Sequence, residues 1–320
     1  MAIRSRIVML GTKDFALPTF LHLCESGAQV VSLITQPDRP QGRKQELIPS
    51  RIKLAAMERG IPVFQPEDVN AAEALDVARS FAPDLLITAA YGQILSAELL
   101  GIPGLGGINL HGSILPKYRG ASPVARAIEK GDAETGVTVI RMTPRIDAGG
   151  MIAFAKTPID PNETAGELED RLAILGAPLI LQAVEAIENG TAQILPQETA
   201  RVTRAPKLTK EDGLIDWSKP ATAVHNHVRA MQPWPTAYTL WQRQGETDQT
   251  PVRLIIHKTE PSAGQGSPGE VLEAEKDRLV IAAGEGAVRL LSVQVPGKKA
   301  FTIGDFLRGH RIRPGDRLGS

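Results

Sequence analysis

Cysteine is nearly missing: the 320-residue chain contains one, Cys24. A single thiol excludes an intramolecular disulfide and fits a reducing cytosol. It also leaves too few sulfur ligands for a structural zinc site. His225 and His227 do not repair this, because they stand two apart on a predicted helix and face different ways. Cys24 shares a helical face with Leu17, Phe20 and Leu21, so it reads as a small buried hydrophobe. Long apolar runs are absent too. No stretch reaches the roughly 18–20 residues needed to cross a bilayer. The N-terminal residues Met1 to Arg6 lack the apolar region of a signal peptide. Net charge is also missing, since Lys+Arg and Asp+Glu both count 36. That removes any global sign of nucleic-acid binding, although a local basic patch stays compatible with it. The first strand–helix turn, Gly11-Thr12-Lys13-Asp14-Phe15, lacks the glycines that let a pyrophosphate approach a helix end. No phosphate-binding P-loop occurs either. The chain reads as a soluble cytoplasmic protein with no membrane segment, no metal and no dinucleotide site.

What is present suffices for two domains and two cores. Hydrophobic residues make up 42% and charged residues 22%, as in ordinary globular proteins. Apolar strands at residues 6–10, 29–35, 61–64, 84–90, 107–111 and 137–142 alternate with helices at 15–26, 50–59, 71–80 and 123–129. This alternation predicts an α/β domain with a parallel sheet covered on both faces, a doubly wound arrangement. A long helical pattern over 164–189 is softened by Gly176 and Pro178 and ends at Gly190. Residues 191–208 carry Arg201, Arg204 and Lys207 among prolines and read as a basic linker. Beyond them come one helix, 221–231, and short strands at 252–257, 269–272, 279–283 and 288–293 with frequent turns. That pattern predicts a smaller β-barrel. The division is 1–190, 191–208 and 209–320.

The segment Asn109-Leu110-His111 ends a strand and runs into Gly112-Ser113-Ile114-Leu115-Pro116-Lys117-Tyr118-Arg119-Gly120. Residues two apart on a strand share a face, so Asn109 and His111 project together while Leu110 turns to the core. In open α/β sheets ligands bind beyond the carboxyl ends of strands. Taken singly, His111 also fits a satisfied strand-end histidine and Asn109 a turn former. Asp147, in Arg145-Ile146-Asp147-Ala148-Gly149-Gly150, follows the strand 137–142. If that strand neighbours 107–111, both loops open on one edge of the sheet. Asp147 alone also fits a turn residue before a glycine pair. A carboxylate beside an imidazole stabilises the imidazolium. With a neutral amide it forms a site for a developing oxyanion. The trio suits attack of an amine on a carbonyl, without an acyl-enzyme. The long loop Gln36 to Lys44 carries Arg39, Arg43 and Lys44, cations that suit a phosphate backbone or else form a solvated loop. The segment Tyr91-Gly92-Gln93-Ile94-Leu95 could wall a flat heterocycle, or simply pack a core.

The run from Asn109 to Gly120, together with Asp147-Ala148-Gly149, resembles the signature of the folate-dependent formyltransferase family. The whole chain is similar to the branch of that family whose acceptor is an aminoacylated initiator tRNA. The loop Gln36-Pro37-Asp38-Arg39-Pro40 with Gly42-Arg43 carries that similarity. So do the segment Ala205 to Trp217, Pro233-Trp234-Pro235 and Gly297-Lys298-Lys299-Ala300. The resemblance implies a Rossmann-like domain followed by a smaller OB-like barrel. It implies formyl transfer from 10-formyltetrahydrofolate, as co-substrate, to the amino group of methionyl initiator tRNA, with the protein a monomer. Asn109, His111 and Asp147 would be catalytic. Ser113, Ile114, Leu115 and Pro116 would contact the folate, with Tyr91, Gly92, Gln93, Ile94 and Leu95 lining its pterin pocket. Arg39, Arg43, Lys44, Arg204 and Lys207 would meet the tRNA. The basic character of the loop stops at Gln45 and Glu46. A sugar-amine formyltransferase and a formyltetrahydrofolate hydrolase are the alternatives within the family. A non-catalytic tRNA- or folate-binding protein is the alternative of another class.

Overall fold

The computed structural model describes residues 3–41, 46–242 and 251–319. The chain forms two compact units. The first comprises Met1–Pro123, Glu134–Pro158 and Leu168–Pro206; the second comprises Val124–Ala133, Ile159–Glu167 and Lys207–Ser320.

The first unit is built on a seven-stranded sheet. Its strands are β1 (Arg6–Gly11), β2 (Gln29–Ile34), β3 (Val63–Phe64), β4 (Leu85–Ala89), β5 (Gly107–His111), β6 (Glu134–Arg141) and β7 (Met151–Pro158). The spatial order is β3-β2-β1-β4-β5-β6-β7. The first five strands in that order pair in parallel. Ile7, Val8, Met9 and Leu10 have no solvent exposure, so β1 is covered on both faces. Helix α1 (Leu17–Glu25) follows β1, and α2 (Arg51–Glu58) starts at Ser50, whose hydroxyl accepts from Lys53 N. Cys24 is only half-buried, at the rim of α1 rather than in the core, and burial pushes its thiol pKa up.

The sheet departs from the expected parallel pattern at one side. β6 runs antiparallel to β5, and β7 antiparallel to β6. β6 therefore ends at the opposite edge from His111, with Arg141 beside Ile108 and Thr138 beside His111. The loops after β5 and β6 do not open on one edge. Asp147 comes back toward His111 through the loop that joins β6 to β7. β7 itself has no counterpart in the predicted elements. It is an edge strand of alternating burial with Phe154 exposed, which blurs its hydrophobic signal.

A long helix, Ala165–Glu188, continues through Gly176 and Pro178. A Cβ at Gly176 would stand 2.5 Å from Leu110 Cδ2, so the glycine lets the helix lie directly on β5. Among the described residues no helix is long and apolar enough to cross a membrane.

The second unit carries an antiparallel sheet of β8 (Ala237–Gln242), β9 (Val252–Ser262), β10 (Val271–Glu275), β11 (Arg278–Ala282), β12 (Ala287–Gln294) and β13 (Arg317–Leu318). Their order is β10-β11-β12-β9-β8-β13. Glu270, just before β10, bridges to Arg317, which brings the two ends of this order together as a nearly closed barrel. Leu254, Ile256, Leu290 and Val293 fill its interior. The indole of Trp217 donates to Thr239 Oγ1 at 3.0 Å, which satisfies its only polar atom in the core.

Glu129 sits in this second unit, half-buried between Arg126 Nη1 (2.8 Å) and His227 Nδ1 (3.6 Å). His227 first, and Arg126 with it, hold the Glu129 carboxyl down to about 2 from an ordinary 4.5. A carboxyl with a lowered folded-state pKa stabilises above its unfolded value, and that contribution is lost as the pH falls toward the folded value. The shift corresponds to an upper bound of about 3.5 kcal/mol, which partial exposure to solvent reduces. Glu129→Gln should therefore lower the midpoint of urea unfolding at neutral pH. The gap to wild type should close between about pH 4.5 and about pH 2. A gap that stays constant across this window would contradict the ion-pair account.

Candidate active site

The strand end places Asn109 and His111 on the face opposite Leu110, which lies under the long helix. Thr88 of β4 is the register partner of Asn109. Its hydroxyl, 2% exposed, donates to Asn109 Oδ1 at 2.7 Å. This fixes which way the amide points. Asn109 Nδ2 is left with no partner among the described residues, ready to donate outward.

His111 is 5% exposed. Its Nε2 lies 2.9 Å from the carbonyl oxygen of Tyr118. A carbonyl only accepts, so Nε2 carries the proton and Nδ1 is the ring atom left for chemistry. Nδ1 stands 3.6 Å from Asp147 Oδ2. That oxygen also accepts from Gly120 N at 2.9 Å. Asp147 has φ +48°, in the left-handed region that non-glycine residues seldom occupy. A Cβ at Gly149 would collide with the carbonyl oxygen of Arg141, so only glycine fits there.

The loop 112–120 is held by buried polar groups. Ser113, fully buried, donates to the carbonyl of Lys117 at 2.6 Å. Thr138 Oγ1 donates to the carbonyl of Ser113 and accepts from Leu115 N. Leu115 is buried, while Ile114 and Pro116 are half-exposed. The segment expected to be a basic linker contributes directly. Thr203 Oγ1 accepts from Tyr118 N at 2.8 Å, the Thr203 carbonyl accepts from Arg119 N, and the Arg119 carbonyl accepts from Ala205 N. Gln197 bridges Arg119 to the backbone of the 147–149 loop.

The other predicted residues divide. Tyr91 and Leu95 belong to a core cluster with Val8, Leu10, Ile34 and Leu86. The Tyr91 hydroxyl is buried without a partner, and burial pushes its pKa up. Gly92 and Ile94 are exposed, and Gln93 bonds Val69 N and the carbonyl of Glu67. Arg39 is exposed and paired with Glu67. Asp38 is held by Lys53 and Gln65, and Lys53 first of all lowers its carboxyl pKa. Arg204 and Lys207 are exposed, with no side-chain bond among the described residues. Arg43 and Lys44 lie outside the described residues.

Sequence reasoning did not find Thr88, Arg119, Thr203 or Gln197 as parts of this site. Thr88 carried a signal, a lone hydroxyl near the end of an apolar strand. Gln197 carried none, because nothing local marks a glutamine in a loop as a bridge between two others.

Residues 5–184 match the Formyl transferase family, and residues 207–311 match its C-terminal domain. A methionyl-tRNA formyltransferase of Magnetococcus marinus is 44% identical over 316 residues, covering 98% of each chain. The enzyme of the same name from Moorella thermoacetica is 44% identical over 317 residues, covering 98% of this chain and 99% of its own. Among solved structures, an N-formyltransferase from Helicobacter canadensis, in complex with folinic acid and dTDP-3-aminofucose, superposes with a TM-score of 0.66. It is 18% identical and covers 90% of this chain and 99% of its own, a likeness that carries the fold alone. Matched over nearly its whole length, the chain belongs to the formyl transferase family.

Proposed function

We propose that this protein transfers a formyl group from 10-formyltetrahydrofolate to the free amino group of methionyl initiator tRNA in the cytoplasm. The observation that carries the chemistry is Asn109 Nδ2, without a partner among the described residues, on the same strand face as a His111–Asp147 pair. The acceptor is supported by near full-length similarity to methionyl-tRNA formyltransferases, with the C-terminal domain included.

The neutral amine attacks the formyl carbon, and the carbonyl oxygen takes the negative charge. Asn109 Nδ2 donates to it, because Thr88 has already taken the other end of the amide. His111 acts through Nδ1, since Nε2–H is committed to the Tyr118 carbonyl. A proton on Nδ1 answers both the oxyanion and Asp147 Oδ2. Asp147 has a second oxygen, Oδ1, with no partner among the described residues, and this takes the amine proton through a water. The C–N10 bond then breaks as the oxyanion collapses to the new carbonyl, and the proton held at Asp147 Oδ1 passes back through the water to N10. The 113–116 turn holds the folate. Of the 91–95 segment, Gly92 and Ile94 are the accessible members, while Tyr91 and Leu95 support them from the core. The unit carrying the barrel, together with Arg39, Arg43, Lys44, Arg204 and Lys207, receives the tRNA.

Asn109→Ala and His111→Ala should each lower turnover on the order of a hundredfold or more. Near-normal turnover in either would overturn its assignment. Thr88→Val keeps the shape and removes the hydroxyl, so it should cost about tenfold in kcat with little change in fold. An unchanged kcat would mean that Asn109 needs no orienting partner. Labelled formyl offered alongside methionyl initiator tRNA, methionyl elongator tRNA, an amino sugar and water should appear on initiator tRNA. Transfer to the sugar or to water instead would reassign the acceptor. The affinity for tRNA should fall steeply as salt rises, and less so in Arg204→Ala and Lys207→Ala. A salt response equal to wild type in both variants would remove these residues from the interface.

A further inference from the structure

We propose that Gln197 is a positioning residue for this reaction, which sets Asp147 against His111 by clamping two loops together. Its Nε2 donates to the carbonyls of Asp147 (2.8 Å) and Gly149 (2.7 Å). Its Oε1 accepts from Arg119 Nε (3.0 Å) and Nη2 (2.7 Å). A guanidinium only donates and a carbonyl only accepts, so the amide orientation is forced by chemistry. Both amide protons and both lone pairs are used. The two loops it joins are the two that build the site. Arg119 stands between Tyr118, whose carbonyl holds His111 Nε2, and Gly120, whose N–H holds Asp147 Oδ2. On the other side, Asp147 is kept at φ +48°. A backbone in that region relaxes unless its surroundings over-determine it. Gln197 fastens the carbonyl of Asp147 itself and the one two residues later. Without it, among the described residues, the Gly120 bond is the remaining hydrogen bond that Asp147 itself makes to the loop carrying Tyr118, and it must hold the 3.6 Å separation of His111 Nδ1 and Asp147 Oδ2.

This rests on the function proposed above, and the test separates the two. Gln197→Met retains the length of the side chain and removes all four bonds. It should lower kcat by ~10–100-fold, the cost of misplacing a reacting group by about an ångström. KM for the folate and for the tRNA should stay within about threefold. A general structural role and a positioning role differ in a double-variant cycle. Added to Asp147→Asn, Gln197→Met should cost nothing further. NMR of the histidine ring nitrogens, with the His111 signals identified by their loss in His111→Ala, should show those signals displaced in Gln197→Met at unchanged far-UV circular dichroism. Losses that add in the double variant, or unmoved His111 signals, would overturn the proposal. A wild-type protein that transfers no formyl group would defeat the functional reading, and the ring signals would then decide this one.

Discussion

The contact on which the site depends is between Leu110 and the long helix Ala165–Glu188. Leu110 is 2% exposed and packs where the helix has only a hydrogen at Gly176. A strand residue committed to one face commits its neighbours to the other. Asn109 and His111 thus share a face because Leu110 is committed to the other, and a shift of one residue in register would turn both polar groups against the long helix. A side chain at Gly176 would push the helix off the strand. The apolar packing on one face of β5 sets the polar geometry on the other.

The polar face is then assembled by loops that are far apart in sequence. Thr88 comes from the neighbouring strand, Tyr118 and Gly120 from the loop after β5, and Asp147 from the connection between β6 and β7. Each makes a bond that settles one degree of freedom. Thr88 settles the direction of the amide, and the Tyr118 carbonyl settles the tautomer of the imidazole. Gly120 settles one carboxylate oxygen. The groups left without partners are Asn109 Nδ2 and Asp147 Oδ1, among the described residues. With His111 Nδ1 they are the atoms that the proposed chemistry requires. Preorganisation of this kind is what makes a donor effective at a developing charge, because little has to reorient during the reaction.

The sequence made the alternation of strand and helix legible because each buried strand is a continuous apolar run closed by a turn residue. Arg6–Gly11 and Leu85–Ala89 are clear cases. The pairing of Asn109 with His111 was legible for the same reason, as a matter of strand period. The direction of β6 was not. An apolar run such as Val137 to Met142 reads alike in either direction, and only the pairing Ile108 to Arg141 settles it. The edge strand Met151–Pro158 was hidden by its weak alternation. Ile94 and Leu95 fit a pocket wall and a core equally well in the sequence, since both uses demand apolar side chains; Leu95 packs in the core with Tyr91, and Ile94 is exposed. The span 191–208 looked like a linker because prolines and cations suggest an exposed path. Its residues 203–205 instead lie against residues 118–120, tied by backbone bonds that no side-chain pattern reports.

The contact between residues 203–205 and 118–120 bears on how a tRNA acceptor could be matched to the chemistry. Of the cations expected to meet phosphate, Arg39 already has a carboxylate partner. It faces Glu67, while Asp38 in the same loop is neutralised by Lys53 from the following helix. An exposed pair such as Arg39–Glu67 is weak, and a phosphate can compete for the arginine. Arg204 has no such competitor among the described residues. It follows Thr203, which accepts from Tyr118 N, and precedes Ala205, which donates to the carbonyl of Arg119. An anion drawn to Arg204 therefore pulls on the same short stretch of backbone that holds the Tyr118 carbonyl against His111. Residue 204 and the His111 geometry are thus joined through the backbone of residues 203–205.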